Sequence, residues 1–199
     1  MRLNLGLGRS ACNGALALPA RDPPVILVAY PFFVSGFLED SMSVKAIPDG
    51  YHTLTPSIVV KDAAAALSFY QKAFGAEEVL RMPGPGGKIM HAEVKIGDSR
   101  LMLADEMPEM GNKAPKTLGG TPVSFYIYVH NVDAAWKRAV DAGAKVVMPL
   151  EEMFWGDRAG KLDDPFGHGW MLAQHTKDLT PAEIKAGQEA FEAKMKANR

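Results

Sequence analysis

Residues 101–105, LMLAD, align on residues 170–174, WMLAQ, at an offset of 69 positions (170 − 101), and Val60 falls on Val129 at the same offset. A chain that repeats over such a length builds one supersecondary unit twice, so the fold reduces to one unit and the packing of two copies. In the first copy, SIVVKDAAAALSFYQKAFGAEEV (57–79) reads as strand, helix, strand. A β-branched run precedes Asp62 as N-cap, then Ala63, Ala66, Leu67, Tyr70 and Phe74 form one stripe and Gly75 closes the helix. FYIYVHNVDAAWKRAVDAGAKVVM (125–148) repeats the pattern, with Asn131 as cap, Val132, Trp136, Ala139 and Val140 as the stripe, and Gly143 after it. A hairpin follows each unit, KIMHAEVKIGDSRLMLAD (88–105) and DRAGKLDDPFGHGWMLAQ (157–174). The reading is α+β: two tandem βαβββ modules, about residues 51–105 and 121–176, joined by the Gly- and Pro-rich segment 106–122. Thr180, Pro181 and Glu183 then form a capping box for a C-terminal helix over 179–199.

Residues 1–41 break from this pattern. Three arginines precede any acidic residue, and PPVILVAYPFFVSGFL (23–38) is nearly all apolar, yet it is short for a bilayer span and Pro31 interrupts it. We read 1–41 as an extension ahead of a start at Met42, with a targeting segment as the other reading, and place the domain at 42–178. A formal charge of −1 offers no broad positive field for nucleic acid, and a single cysteine, Cys12, excludes an internal disulfide. No nucleic-acid or membrane partner is expected, and a cytoplasmic location suits the cysteine usage.

The paired modules, together with WGDR (155–158), DPFGHGW (164–170), MHAEVKIGDSRLML (90–103) and LGGTPV (118–123), resemble the vicinal oxygen chelate superfamily. That superfamily includes glyoxalase I, bleomycin-resistance proteins and extradiol dioxygenases; the resemblance is closest to its PhnB-like branch and covers about Tyr51 to Lys177. It implies that each module curls into a half-barrel with its helix on the convex side and a ligand cavity on the concave side. It also implies a homodimer, because members commonly close their cups by pairing two chains.

Strand alternation assigns the faces within those cups. Leu101 and Leu103 belong beneath a helix, which turns Arg100 and Met102 inward. A turn at Gly97–Asp98 then sets Glu93 opposite Met102, with His91 on the same inner face. In the second module Ser124, Tyr126 and Tyr128 face inward. Metal-binding members carry four ligands, whose places the resemblance puts at Thr55, Met102, Ser124 and Met171. None suits a divalent ion, so no metal or other cofactor is expected and these four join the substrate-binding wall. His168 and His175 read as turn and strand-end residues.

Two function classes remain. In the first, a metal-independent lyase- or isomerase-type enzyme works on a small carbonyl compound, with Glu93 or His91 moving a proton and Tyr126, Tyr128 or Arg158 stabilising an oxyanion. In the second, a binding protein sequesters an aromatic or cationic compound against the tyrosines. Trp155 and Arg158 are placed at the cup mouth, where Arg158 would grip a ligand carboxylate or else brace the hairpin through Asp163 or Asp164. Glu93 reads either as a general base or as an ion pair with Arg100 or Lys95.

Overall fold

The computed structural model describes residues 44–197, and the extension expected over 1–41 lies outside them. Strand β1 (Ser57–Val60) runs into helix α1 (Ala63–Phe74), where Asp62 accepts the Ala65 N–H at 2.8 Å. Gly75 ends that helix at φ 68°, a left-handed conformation that a side chain resists. Strands β2 (Glu77–Pro83), β3 (Ile89–Ile96) and β4 (Ser99–Asp105) complete the module. Ile96 pairs with Ser99 across the Gly97–Asp98 turn, which places Glu93 opposite Met102 as the alternation requires.

After a linker carrying the single-turn helix α2 (Pro115–Leu118), the second module repeats the order. It consists of β5 (Ser124–Tyr128), α3 (Val132–Asp141), β6 (Lys145–Glu152), β7 (Asp157–Asp163) and β8 (Gly169–His175). The sheets have the orders β1-β4-β3-β2 and β5-β8-β7-β6, with β1 parallel to β4 and β5 parallel to β8. Ser57 lies beside Met102 and Tyr126 beside Met171, so the register keeps the 69-residue offset in both pairs (126 − 57 and 171 − 102). Neither sheet closes, and β1 and β5 each leave one edge unpaired among the described residues.

The two helices pack on each other and the core is continuous through both modules. Two details of the expected stripes differ. Val140 is exposed, and Ala135 takes its place in a buried row with Val132 and Ala139. Phe69, outside the expected stripe, is buried because Phe166 of the second module packs edge-on against it at 6.0 Å.

The DPFGHGW turn explains how the modules hold together. Buried Asp164 accepts the backbone N–H of Phe166 (2.8 Å) and His168 (2.9 Å) on one oxygen, and the Tyr70 hydroxyl (2.7 Å) and Trp170 indole N–H (2.9 Å) on the other. His168 donates from Nε2 to the Val59 carbonyl at 3.1 Å. One turn of the second module thus clasps both the helix and the first strand of the other. Helix α4 (Pro181–Ala197) begins at the expected capping box, with Glu183 accepting the Thr180 N–H at 2.8 Å. It lies against Phe154, and Gly187 leaves room there that a Cβ would fill to 2.9 Å.

Candidate functional site

On the first module's inner face Glu93 is only 5% exposed and is held by three donors. These are the Tyr51 hydroxyl, His91 Nε2 at 3.0 Å and Arg100 Nη1 at 3.2 Å. Arg100 also lies over the Tyr51 ring, 4.6 Å from its centre, a cation–π contact. Burial pushes the Glu93 carboxyl up. The hydrogen bonds from Tyr51 and His91 and the charges of His91 and Arg100 outweigh that, and the group sits below the usual glutamate range. The ion pair with Arg100 is therefore formed, whereas Lys95 takes no part in it. Because an ionised carboxylate only accepts, His91 donates from Nε2 and a neutral imidazole keeps Nδ1 as its basic nitrogen.

The second module has its own carboxylate, Asp157, which pattern reading passed over. It is 2% exposed. Its Oδ2 accepts the Tyr128 hydroxyl at 2.9 Å, the Tyr126 hydroxyl at 3.2 Å and the Trp155 indole N–H at 3.0 Å, and its Oδ1 accepts His175 Nδ1 at 2.8 Å. Here too burial pushes the pKa up, and the bonds from His175, Tyr128, Trp155 and Tyr126 bring it below the ordinary aspartate value. His175, expected to be an idle strand-end residue, donates its other nitrogen to Asp178 at 3.0 Å, and the hydrogen bonds to Asp157 and Asp178 raise its pKa. Burial, the Asp157 charge and the neighbouring Tyr128 push the Tyr126 phenol up to about 12, although the Trp155 contact pulls the other way.

The structure thus gathers His91 and Glu93 at one centre and Tyr126, Tyr128 and Trp155 at another. Tyr51, Asp157 and His175 are the members that pattern reading did not assign, whereas Arg100 faces inward and pairs with Glu93 as one of the expected readings had it. Arg158 does not join them. It turns to the helix side, where Asp133 at the start of α3 accepts from it at 2.7 and 3.2 Å and Glu152 lies 3.7 Å away, and it does not pair with Asp163 or Asp164. Thr55 lies before β1 and bonds back to the His52 carbonyl at 3.2 Å. Ser124 is exposed beside Gly169, while Met102 and Met171 are half-buried. A cavity of about 930 Å³ follows the open edge of β5 instead of lying over Glu93. Phe74, Phe125, Trp170, Tyr128 and Arg100 line it, and His91 and Glu93 do not.

The family model for the glyoxalase/bleomycin resistance protein/dioxygenase superfamily matches residues 51–172, more than half of the chain. The chain belongs to this superfamily. An uncharacterised Mycobacterium tuberculosis protein is 46% identical to it over 154 residues, covering 76% of this chain and 88% of the relative. The crystal structure of protein PA1353 from Pseudomonas aeruginosa superposes with a TM-score of 0.52 at 26% identity, covering 62% of this chain and 98% of that one. The Arabidopsis thaliana At5g48480 gene product gives 0.51 at 28% identity, covering 62% and 98%. As the superfamily fold implies, the described chain contains two modules of one mixed sheet and one helix each.

The residues present do not fit the divalent ion of the superfamily's metal-dependent members. The places that the resemblance gives to the ligands hold Thr55, Met102, Ser124 and Met171, and Ser57 and Tyr126, which the register sets beside the two methionines, add only hydroxyls in place of converging imidazoles and carboxylates. Among the described residues no three His, Cys, Asp or Glu side chains come together as a metal-holding group.

The two carboxylates and His175 set opposite limbs of a stability–pH profile. Glu93 and Asp157 have lowered pKa values, so their contribution is present above the unfolded values near 4 and is lost as pH falls through the folded ones. His175 is raised, so its contribution is full below about 6.5 and is lost as pH rises through the folded value. Thermal melts should therefore show maximal Tm between roughly pH 5 and 6.5. His175→Gln should flatten the alkaline decline, and superimposable profiles for the two proteins would refute this assignment.

Proposed function

We propose that this superfamily member binds a small organic molecule against its concave walls and acts as a homodimer in the cytoplasm, in the PhnB-like branch to which its WGDR and DPFGHGW motifs point. One observation carries the binding reading: both inner-face carboxylates are saturated by side-chain donors and kept ionised, Glu93 by three and Asp157 by four. A carboxylate so held orients its neighbours and takes up a proton poorly, which suits a preorganised recognition surface better than a base. Tyr126 and Tyr128 spend their protons on Asp157, so neither has one left for the oxyanion role expected of it. Pairing of two copies is supported by the open edges of β1 and β5, because a two-fold axis that sets β1 of one chain beside β5 of the other covers both edges at once.

A second reading rests on the His91–Glu93 pair. Glu93 holds His91 by Nε2 at 3.0 Å while the ring remains about one-third exposed, an arrangement in which the imidazole and not the carboxylate moves the proton. The test is to purify the full chain from cell extract, identify the co-purifying ligand by native mass spectrometry, and repeat the incubation in deuterated buffer. Recovery of the ligand unchanged and unlabelled is the expected result. Deuterium entering a carbon position, and lost in His91→Asn, would replace the binding reading by the enzymatic one.

A further inference from the structure

Asp157 fixes what kind of group the second module's wall can bind. Its carboxylate can only accept, so the Tyr126 and Tyr128 hydroxyls that contact it, at 3.2 and 2.9 Å, both donate inward. A phenol has one proton, so the outward side of each hydroxyl retains only lone pairs. The Trp155 indole N–H is spent on the same oxygen, and both His175 nitrogens are spent on Asp157 and Asp178. No donor of this cluster is left facing the cup. The two tyrosines remain 45% and 62% exposed, with ring centres 5.0 Å apart and planes tilted by 38°, so their negative ring faces are open as well.

Taking the binding reading as its basis, we propose that this wall receives the ammonium or guanidinium end of a small organic molecule, whose N–H groups bond to the tyrosine oxygens while the charge lies over the rings. Asp98, Arg100 and Arg138 line the same cavity as the two tyrosines, with Arg100 held by Glu93, and Lys161, Glu151 and His175 belong to the second module's own face. Lys161 pairs with Met171, which pairs with Tyr126, and Glu151 pairs with Ala159, which pairs with Ala173 beside Tyr128. The Lys161 backbone is thus two strands from the tyrosines, its side chain crosses Gly169 toward Ser124, and Glu151 of opposite sign lies on the neighbouring edge strand. His175 is cationic when protonated but lies between two aspartates. Selection at this wall therefore comes from its acceptors and ring faces, which an ammonium group satisfies, whereas a carboxylate or phosphate finds no donor in the Asp157 cluster. Arg158, the residue expected to anchor such an anion, is held by Asp133 on the other face.

The test titrates the full chain with three probes of similar size: phenethylamine, 3-phenylpropionate and phenyltrimethylammonium, followed by NMR. Phenethylamine should bind at least about tenfold more tightly than 3-phenylpropionate, with phenyltrimethylammonium between them because it keeps the cation–π contact and lacks N–H donors. Asp157→Asn frees the phenol protons to turn outward and should narrow the preference at least fivefold. The Tyr126→Phe/Tyr128→Phe double variant keeps both rings and should bring phenethylamine down to the level of the quaternary probe. If Asp157→Asn lacks a sharp thermal transition, the double variant decides alone. Tighter binding of 3-phenylpropionate, or a cation preference unchanged in the variants, overturns this inference while leaving the binding reading intact. Failure of all three probes to bind, with no ligand co-purifying, overturns both.

Discussion

Asp164→Ala is expected to lower the unfolding free energy by about 3–5 kcal/mol and the melting temperature by roughly 6–20 °C. The carboxylate is 6% exposed and receives four donors, two from its own turn and two from indole and phenol groups that have no other partner among the described residues. Alanine leaves the Tyr70 hydroxyl and the Trp170 N–H buried without an acceptor, and each such group costs about 1–3 kcal/mol. Burial, the largest cause of the raised Tyr70 pKa, persists without Asp164 and keeps the phenol protonated, so ionisation offers it no escape. Asp164→Asn retains one acceptor oxygen and should lose about half as much. Guanidinium unfolding of the three proteins decides the matter, and a loss under 1 kcal/mol in the alanine variant would show that the modules do not depend on this clasp.

Trp170→Ala should cost a similar amount, about 3–5 kcal/mol, for a different reason. The indole is 2% exposed, with its ring 4.7 Å from both Phe74 and Phe125 and 5.4 Å from Tyr70, so truncation leaves a cavity where the helix of one module meets the sheet of the other. The same ring forms part of the floor of the groove beside β5, so the variant should also weaken the pairing of copies proposed above, measured by light scattering as a smaller fraction of dimer. Because the indole N–H bonds to Asp164, the two losses should not add. The double variant is expected to fall short of their sum by at least about 0.5 kcal/mol. Additive losses would mean that the hydrogen bond contributes little beyond the packing.

What the sequence determined by itself is the part of this protein built by local interactions. The Asp62, Asn131 and Thr180 caps, the two-residue turn at Gly97–Asp98 and the offset of 69 all concern residues close in the chain or copied within it, and each appears in the structure as read. Alternation then carried Glu93 and His91 to one inner face, because a two-residue turn leaves no freedom in the register that follows it. The second hairpin has no such constraint. Its five-residue connection, 164–168, admits more than one register, and only the folded turn pairs Asp157 with His175 and Arg158 with Gln174. That choice puts Asp157 on the inner face with Tyr126 and Tyr128 and sends Arg158 to the helix side, the reverse of the role expected for Arg158. The partners of DPFGHGW were hidden for a related reason. Tyr70 lies 94 positions from Asp164, and Val59 lies 109 from His168, so the contacts exist only once one module has docked on the other. Periodicity tells which face a side chain takes, whereas what waits on that face is decided by packing between segments that share no local pattern.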